Sequence, residues 1–339
     1  MTELVPVAKV PGVPVAKVLV TRPIPAPGAA PLAAAGFDVE QQSVDAPLLA
    51  AELAGRVAGK DALLCMLSDR IDGALLDAAG PALRIVANFA VGFDNIDVRA
   101  ATERGVLITN TPDVLTDATA DVAWTLLLAT ARRVIEGDAL VRQGRWVGWT
   151  PTQLLGAPVA GRTLGVFGLG KIGGAVARRA AGFGMRVLYT NRSRDEQAER
   201  DLGATYVPFD RLLGESDFLS LHAPLNDASR HVIDASALAA MKPTAIIVNT
   251  ARGALIDEVA LVVALRNRTI AGAGLDVFEA EPTLSAGLAE LDNVVLLPNL
   301  GSATTDARAA MAQLCCDNIL AAFEGRRPAT LLNPEVLDR

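Results

Sequence analysis

The sequence predicts an α/β protein made of two doubly wound domains with parallel sheets. Short apolar runs of strand type alternate with helical patterns along most of the chain, an order typical of parallel sheets covered on both faces. With 339 residues, of which 51% are apolar, the chain is long enough for two domains of ordinary size. A glycine-rich turn near its middle lies between a strand pattern and a helix pattern.

The first half of the chain carries this alternation in order. We predict strands at 16–21, 37–41, 62–66, 85–87 and 106–109, and helices at 50–58, 73–79 and 98–104. A long helix should begin near Asp117 and continue toward Gln143, with an apolar face around Trp124. The loop beyond it displays Trp146 and Trp149. Such an apolar helix is either a domain linker or a subunit interface.

The glycine-rich turn has the pattern Gly168-x-Gly170-x-x-Gly173 between an apolar strand at 164–167 and a helix. The first glycine permits a tight turn, the second lets backbone approach a pyrophosphate, and the third lets helix and strand pack closely. A second strand follows at 185–189. A purely structural turn is the alternative, but the flanking elements favour a dinucleotide site at the helix N-terminus.

The residues after that second strand bear on the choice of nucleotide. A carboxylate usually binds the ribose there in NAD-binding units, whereas this chain has Asn191, Arg192, Ser193 and Arg194. Asn191 and Ser193 can hydrogen-bond a 2′-phosphate, and the two arginines can pair with it. A solvated basic loop is the alternative. We predict that NADP(H) is preferred, with NAD(H) as the other candidate.

The alternation resumes with strands at 217–221, 245–249, 271–276 and 294–297, and with a last helix at 305–323. That helix follows the end of the second sheet, so we expect it to return to the first domain and make it discontinuous. Polar segments follow several strands, where ligands bind in open parallel sheets. These segments are 88–95, 249–253, 276–282 and 298–302. One such segment alone is as readily an ordinary loop; four together favour a site.

Composition excludes several classes of partner. The net charge of −7 and the pI near 5.0 argue against nucleic acid or an anionic membrane. We find neither a membrane-span pattern nor a signal peptide. Three cysteines, two of them adjacent, suit a reducing compartment, and two histidines without a Cys/His cluster argue against a zinc site. We therefore expect a cytoplasmic protein without a metal.

Six motifs together resemble the D-isomer-specific 2-hydroxyacid dehydrogenase family, most closely its glyoxylate/hydroxypyruvate reductase branch. The similarity runs from about Ala16 to Pro334, and its motifs occur in the family's order. They lie at 65–69, 90–97, 110–121, 249–253, 272–278 and 297–303.

The resemblance implies a Rossmann cofactor domain inserted into a discontinuous, flavodoxin-like catalytic domain. The expected boundaries are 15–111 with 303–334 for the catalytic domain and 112–302 for the cofactor domain, with 1–14 as a loose extension. The resemblance also implies a homodimer built on the long helix and the arm after it.

The resemblance further assigns roles to individual residues. Arg252 matches the arginine that binds the carboxylate and oxo group, and Glu281 the glutamate that holds and tunes the catalytic histidine. Positions matching the substrate site are Leu67, Val91, Gly92, Ser302 and, from the neighbouring subunit, Trp149. Positions matching the cofactor site, besides the three motif glycines and 191–194, are Lys171, Ile172, Ala223, Pro224, Thr250, Ala251, Asp276 and Gly301.

One departure concerns the chemistry itself, because Asn299 stands where the family has its acid/base histidine. Asparagine cannot deliver a proton near neutral pH, although it can donate a hydrogen bond to a carbonyl oxygen. Neither His222, at a position beside the cofactor, nor His231 is an obvious substitute. Three explanations stay open: a deliberate replacement that traps a ternary complex, a natural variant that takes its proton from water, and a nucleotide-binding pseudoenzyme.

The sequence therefore predicts an enzyme that reduces a small 2-oxo acid, glyoxylate or hydroxypyruvate, to the D-2-hydroxy acid with NAD(P)H. Its activity is expected to be impaired by Asn299. A reductase for a bulkier 2-oxo acid and a catalytically silent nucleotide-binding protein are the alternatives.

Overall fold

A computed structural model of the chain describes residues 15–338, so the predicted extension at 1–14 lies outside the described residues. The chain divides into two compact units. One contains the described residues up to Leu115 and from Ala303 onward, and the other runs from Thr116 to Ser302.

The first unit contains a five-stranded, wholly parallel sheet in the order β2-β1-β3-β4-β5. Its strands are β1 (Lys17–Val20), β2 (Asp38–Gln41), β3 (Ala62–Cys65), β4 (Ile85–Asn88) and β5 (Leu107–Thr109). Its helices are α1 (Ala30–Ala34), α2 (Ala50–Val57), α3 (Gly73–Ala79), α4 (Val98–Glu103) and, from the end of the chain, α12 (Thr305–Phe323). Because α12 packs on β4 and α1, this unit is discontinuous in sequence.

The second unit contains a seven-stranded parallel sheet in the order β12-β11-β10-β9-β6-β7-β8. Its strands are β6 (Thr163–Phe167), β7 (Arg186–Thr190), β8 (Thr205–Tyr206), β9 (Phe218–Leu221), β10 (Ile246–Asn249), β11 (Gly272–Leu275) and β12 (Val294–Leu296). Its helices are α5 (Thr116–Ala131), α6 (Val134–Arg142), α7 (Lys171–Ala180), α8 (Glu196–Leu202), α9 (Phe209–Glu215), α10 (Ala235–Ala240) and α11 (Glu258–Arg266). The predicted fold class, two parallel-sheet α/β domains, is confirmed.

Local sequence accounts for most of these elements. Strands β3, β4, β9 and β10 are buried along their whole length, as expected for strands covered on both faces. Aspartates cap several helices, since the side chains of Asp72, Asp97 and Asp257 each accept a hydrogen bond from a first-turn N–H group.

The prediction of one long helix toward Gln143 is wrong. The chain leaves the helix after Ala131, and Arg133, with φ 53°, takes a left-handed conformation before α6 begins. Trp124 is buried, stacked on Phe183 at 4.7 Å between ring centroids, with its indole nitrogen donating to the Val176 carbonyl. The apolar face of α5 is thus part of this unit's own core, and α6 has no buried residue.

Candidate active site

Three polar segments meet at the carboxyl ends of neighbouring strands in the second unit. Strands β10, β11 and β12 lead into Arg252, Glu281 and Asn299 respectively. Backbone hydrogen bonds continue the register past the strand ends, because Asp276 N donates to Asn249 O at 2.9 Å and Asn299 N donates to Asp276 O at 2.9 Å. The topology therefore brings the three predicted catalytic residues to one edge of one sheet.

The turn that carries Arg252 is fixed by a buried asparagine. Asn249, which is 0% exposed, donates from Nδ2 to Arg252 O at 2.8 Å and accepts from Ala251 N at 3.0 Å. The guanidinium Nη1 donates to Ala251 O at 2.7 Å. At Gly253 a Cβ atom would lie 1.9 Å from the Phe278 carbonyl carbon, so only glycine lets this turn pack against the segment after β11.

Glu281 and Asn299 form a hydrogen-bonded pair. The Asn299 amide nitrogen donates to Glu281 Oε2 at 3.2 Å, and Glu281 Oε1 accepts from Phe278 N at 3.0 Å. The backbone of Asn299 is left-handed, with φ 56°, a conformation in which asparagine and histidine are both enriched. The carboxylate thus orients the amide as a donor, while the catalytic roles that the family resemblance implies for these two positions stay predictions.

Asp276 organises the loop that follows β12. Its buried carboxylate accepts hydrogen bonds from Leu300 N at 2.6 Å and from Gly301 N at 2.7 Å. Burial raises the pKa of Asp276, whereas the two backbone hydrogen bonds lower it, and the nearby charge of Glu281 raises it. The structure shows this loop-fixing role; the predicted contacts of Asp276 and Ala251 with a nicotinamide, of Gly301 with the cofactor and of Ser302 with substrate stay predictions.

The glycine turn between β6 and α7 has the geometry of a phosphate-binding loop. A Cβ atom on Gly168, whose φ is 95°, would lie 2.5 Å from Ala223 N, and one on Gly173 would lie 2.2 Å from Gly168 O. A Cβ atom on Gly170 would meet nothing within 4 Å, so open space lies beside the backbone there. Among the described residues no side chain caps the N-terminus of α7, which begins at Lys171, with Ile172 next to it. These features fit a dinucleotide pyrophosphate.

The four predicted 2′-phosphate ligands after β7 fall into three groups. The Asn191 side chain accepts from Leu169 N at 2.7 Å and donates to Leu169 O at 3.4 Å, so it fixes the glycine turn. Arg194 is bound to Glu199 through two hydrogen bonds. Arg192 and Ser193 are solvent-exposed.

The remaining predicted cofactor positions follow the carboxyl ends of β9, which pairs with β6, and of β10, which pairs with β9. Ala223 lies against Gly168, and Pro224 follows it at the surface. Thr250 is only 9% exposed, and its Oγ1 has no hydrogen-bond partner among residues 15–338. A buried hydroxyl without a protein partner at this edge fits a site that a polar ligand completes.

In the first unit, hydrogen bonds from asparagine side chains to backbone carbonyls fix the loops that follow β3 and β4. Asn95 donates to the carbonyls of Met66 and Asp69, on either side of Leu67. Asn88 Nδ2 donates to Gly92 O at 2.8 Å.

At Val91 and Gly92 the backbone carbonyls are hydrogen-bonded, whereas the N–H groups have no acceptor among residues 15–338. Asn110 Nδ2 donates to Val91 O at 2.7 Å, so side-chain amides bind the carbonyls of both residues. Within the part of the chain that the structure describes, neither N–H group donates a hydrogen bond. Two adjacent N–H groups of this kind suit a carboxylate.

Some contacts at these sites were not predicted from the sequence. His231 Nε2 lies 2.6 Å from Glu279 Oε1, and its backbone N donates to Ala254 O beside the Arg252 turn. Asparagines at strand ends, Asn88 and Asn249, fix both turns. A strand-terminal Asn followed within four residues by glycine is the sequence signal that would have identified them.

The seven-stranded parallel sheet, the glycine turn and the polar strand ends define a Rossmann-type dinucleotide-binding domain, a class common among nicotinamide-dependent oxidoreductases. Residues 124–301 match the NAD-binding domain of the D-isomer-specific 2-hydroxyacid dehydrogenases. The chain belongs to this family.

Several relatives match nearly the whole chain. Glyoxylate reductase of Thermococcus onnurineus is 54% identical over 326 residues, which cover 95% of this chain and 97% of the relative. Glyoxylate reductase of Pyrococcus furiosus is 51% identical over 325 residues, covering 95% and 96%. The NADPH-dependent glyoxylate/hydroxypyruvate reductase of Sinorhizobium meliloti, solved in complex with NADP and malonate, superimposes with a TM-score of 0.84 at 38% identity, covering 94% and 96%.

These matches confirm the resemblance inferred from the motifs. The chain is an oxidoreductase of the class that acts on CH–OH groups with a nicotinamide cofactor. Among the described residues, no helix is long and apolar enough to span a membrane, and no group of three or more potential metal ligands occurs.

Proposed function

We propose that this chain reduces glyoxylate or a similar small 2-oxo acid, including hydroxypyruvate, to the D-2-hydroxy acid, with NADP(H) preferred over NAD(H). The observation that carries the proposal is the convergence of Arg252, Glu281 and Asn299 at the carboxyl ends of β10, β11 and β12. The glyoxylate reductases that match 95% of the chain support it.

Arg252 binds and polarises the 2-oxo acid in this proposal. A guanidinium offers a planar pair of donors that matches a carboxylate or an adjacent oxo oxygen. The rigid turn made by Asn249 and Gly253 supports this role, because a positioned cation loses little entropy on binding. The N–H groups of Val91 and Gly92 are proposed to receive the substrate carboxylate.

Asn299 stands in the acid/base position as a hydrogen-bond donor. An amide nitrogen carries two N–H groups, and Glu281 accepts from this nitrogen, so one N–H group remains for the substrate oxygen. When bound, the dihydronicotinamide supplies a hydride to the oxo carbon. Asn299 then stabilises negative charge on the oxygen, and water supplies the proton, because the amide has none to give near neutral pH. The rate is therefore reduced relative to an enzyme with histidine there.

The test is NADPH oxidation with glyoxylate and with hydroxypyruvate, comparing the chain with Asn299→His. Histidine tolerates the left-handed backbone and restores a general acid beside Glu281, so we expect kcat/KM to rise by roughly 100-fold or more.

The matched control is Asn299→His combined with Glu281→Gln. Without the carboxylate, the imidazole pKa should fall and part of the gain should be lost. If the single variant gains nothing with either substrate while NADPH still binds, the proposed reaction is wrong.

Two alternatives make different predictions in the same assay. A reductase for a bulkier 2-oxo acid would show the Asn299→His gain only with larger substrates, although the exposed Trp149 is proposed to restrict substrate size. A catalytically silent nucleotide-binding protein would bind NADPH tightly without turnover of any 2-oxo acid.

The proposal includes a homodimer and a cytoplasmic location. Exposed apolar side chains on α6 and the following segment support association with a second copy. The three cysteines, all buried and free, agree with a reducing compartment.

A further inference from the structure

One of the two arginines at the predicted 2′-phosphate position is already bound by a carboxylate of its own chain. Arg194 donates from Nε to Glu199 Oε1 at 2.8 Å and from Nη2 to Glu199 Oε2 at 2.7 Å. This bidentate pair is the strongest common arginine–carboxylate geometry. The two hydrogen bonds occupy one edge of the Arg194 guanidinium, and the negative charge of Glu199 compensates its positive charge.

The partner carboxylate is itself held in place by a buried tyrosine. Tyr189, 0% exposed on β7, donates from its hydroxyl to Glu199 Oε1 at 2.9 Å and accepts from Asp195 N at 2.8 Å. Asp195 in turn caps α8 through Ala198 N at 2.9 Å. Glu199 is therefore held by the Tyr189 hydroxyl from β7 and by its own place in the capped helix α8.

The pair persists over the whole physiological pH range. The hydrogen bond from Arg194 is the largest cause that lowers the pKa of Glu199, to about 2, and the Tyr189 hydroxyl adds to it. Glu199 is thus ionised at neutral pH.

Arg192 differs from Arg194 in its partners. Both side chains are solvent-exposed, but within residues 15–338 Arg192 forms no ion pair or hydrogen bond. The charge of Arg192 is therefore available to a phosphate, whereas the charge of Arg194 is already compensated by Glu199.

We propose that Glu199 sets nucleotide selectivity in this chain, by holding Arg194 away from the 2′-phosphate and leaving Arg192 as the main discriminating cation. The inference rests on the proposed binding of NAD(P)H at the glycine turn. Glu199 is a positioning residue that lowers the preference for NADPH over NADH, and Tyr189 keeps it in place.

The experiment measures dissociation constants of NADPH and NADH by calorimetry for the wild-type chain and for Glu199→Gln. The amide cannot compensate Arg194, so the ratio of NADPH affinity to NADH affinity should rise by roughly 3- to 10-fold. NADH binding serves as the internal reference, since it lacks the phosphate. Tyr189→Phe should shift the ratio in the same direction by a smaller factor.

Glu196→Gln is the matched control. Glu196 lies in the first turn of the same helix and pairs with Arg200 at 3.9 Å, so its removal changes the local charge equally without breaking the hydrogen bonds between Arg194 and Glu199. A second control places Glu199→Gln in an Arg194→Ala background, where it should no longer change the ratio. Arg192→Ala should lower the ratio more than Arg194→Ala does.

Each outcome decides between defined alternatives. A selective loss of NADPH affinity in Glu199→Gln would mean that the carboxylate presents Arg194 to the phosphate, and this would overturn the proposal. An unchanged ratio with both nucleotides bound would overturn it too. If the wild-type chain binds neither nucleotide, the proposed function fails instead.

Discussion

His222, at the end of β9, is a histidine that the fold keeps neutral. Its backbone N donates to Phe167 O at 2.8 Å, and its Nε2 lies 2.8 Å from Ser220 Oγ. Burial lowers the pKa of His222 to about 4 from the ordinary value of 6.5. The unfolded chain therefore takes up a proton at a higher pH than the folded chain does, and stability depends on pH between these values.

We expect the free energy of unfolding without cofactor to be unaffected by His222 above pH 6.5 and to fall as the pH drops toward 4. Between pH 6.5 and 4.5 the loss should be roughly 2–3 kcal/mol. Urea unfolding at several pH values measures it. His222→Gln cannot titrate, so its stability should vary less over this interval; equal slopes for the two proteins would contradict the assignment.

Side-chain partners could be predicted where the family resemblance assigns both members. Glu281 and Asn299 are such a pair, and they are hydrogen-bonded in the structure. Arg194 shows the limit of this reasoning. Its partner Glu199 lies on the following helix, and the pairing depends on how α8 packs beside Tyr189, which spacing along the chain does not specify.

At the scale of elements, the predicted strands and helices agree closely with the structure because buried parallel strands are short, wholly apolar runs. The break between α5 and α6 was not predicted, because no residue there marks the end of a helix. The sequence at 131–134 contains neither glycine nor proline, and the helix ends through the left-handed conformation of Arg133, which forms an ion pair with Glu136. A later segment also contributes, because Ala157 N donates to the carbonyl of Ala131, the last residue of α5, at 2.8 Å, a contact that local sequence does not specify.

Substitutions at two glycines of the turn can separate an effect on folding from an effect on nucleotide binding. Gly170→Ala adds a methyl group where nothing lies within 4 Å, so we expect little change in melting temperature but weaker NADPH binding, since the methyl group would occupy the space proposed for the pyrophosphate.

Gly173→Ala is the matched variant. Its methyl group would lie 2.2 Å from Gly168 O, so the strand–helix packing must shift and the melting temperature should fall by several degrees. Thermal unfolding and calorimetric titration of both variants test the distinction. Unimpaired nucleotide binding by Gly170→Ala would exclude the proposed position of the pyrophosphate.

For the whole molecule, exposed apolar side chains are concentrated in one segment of the second unit. Val147 is 95% exposed and Trp149 is 83% exposed. The other members of this arm patch are Val134, Ile135, Val141, Trp146 and Leu155. A continuous sequence stretch that shows so many large apolar groups to water is typical of a surface that another chain covers.

We expect sedimentation to give about twice the chain mass of 35.3 kDa. Val141→Glu together with Val147→Glu should shift the equilibrium toward monomer, because a buried unpaired charge is costly at an interface. Val44→Glu, at an exposed valine outside the arm patch, is the control and should leave the mass unchanged. A wild-type chain that sediments as a monomer at micromolar concentration would refute the dimer.

The left-handed backbone at Asn299 has a consequence for how this site can change over generations. Asparagine and histidine codons differ by one nucleotide, and both residues suit a φ of 56°. A single point mutation can therefore exchange a hydrogen-bond donor for a proton donor without remodelling the loop or its contact with Glu281. Under selection for turnover, a change to histidine at this codon should be the first route to appear, and populations grown under that pressure would make it visible.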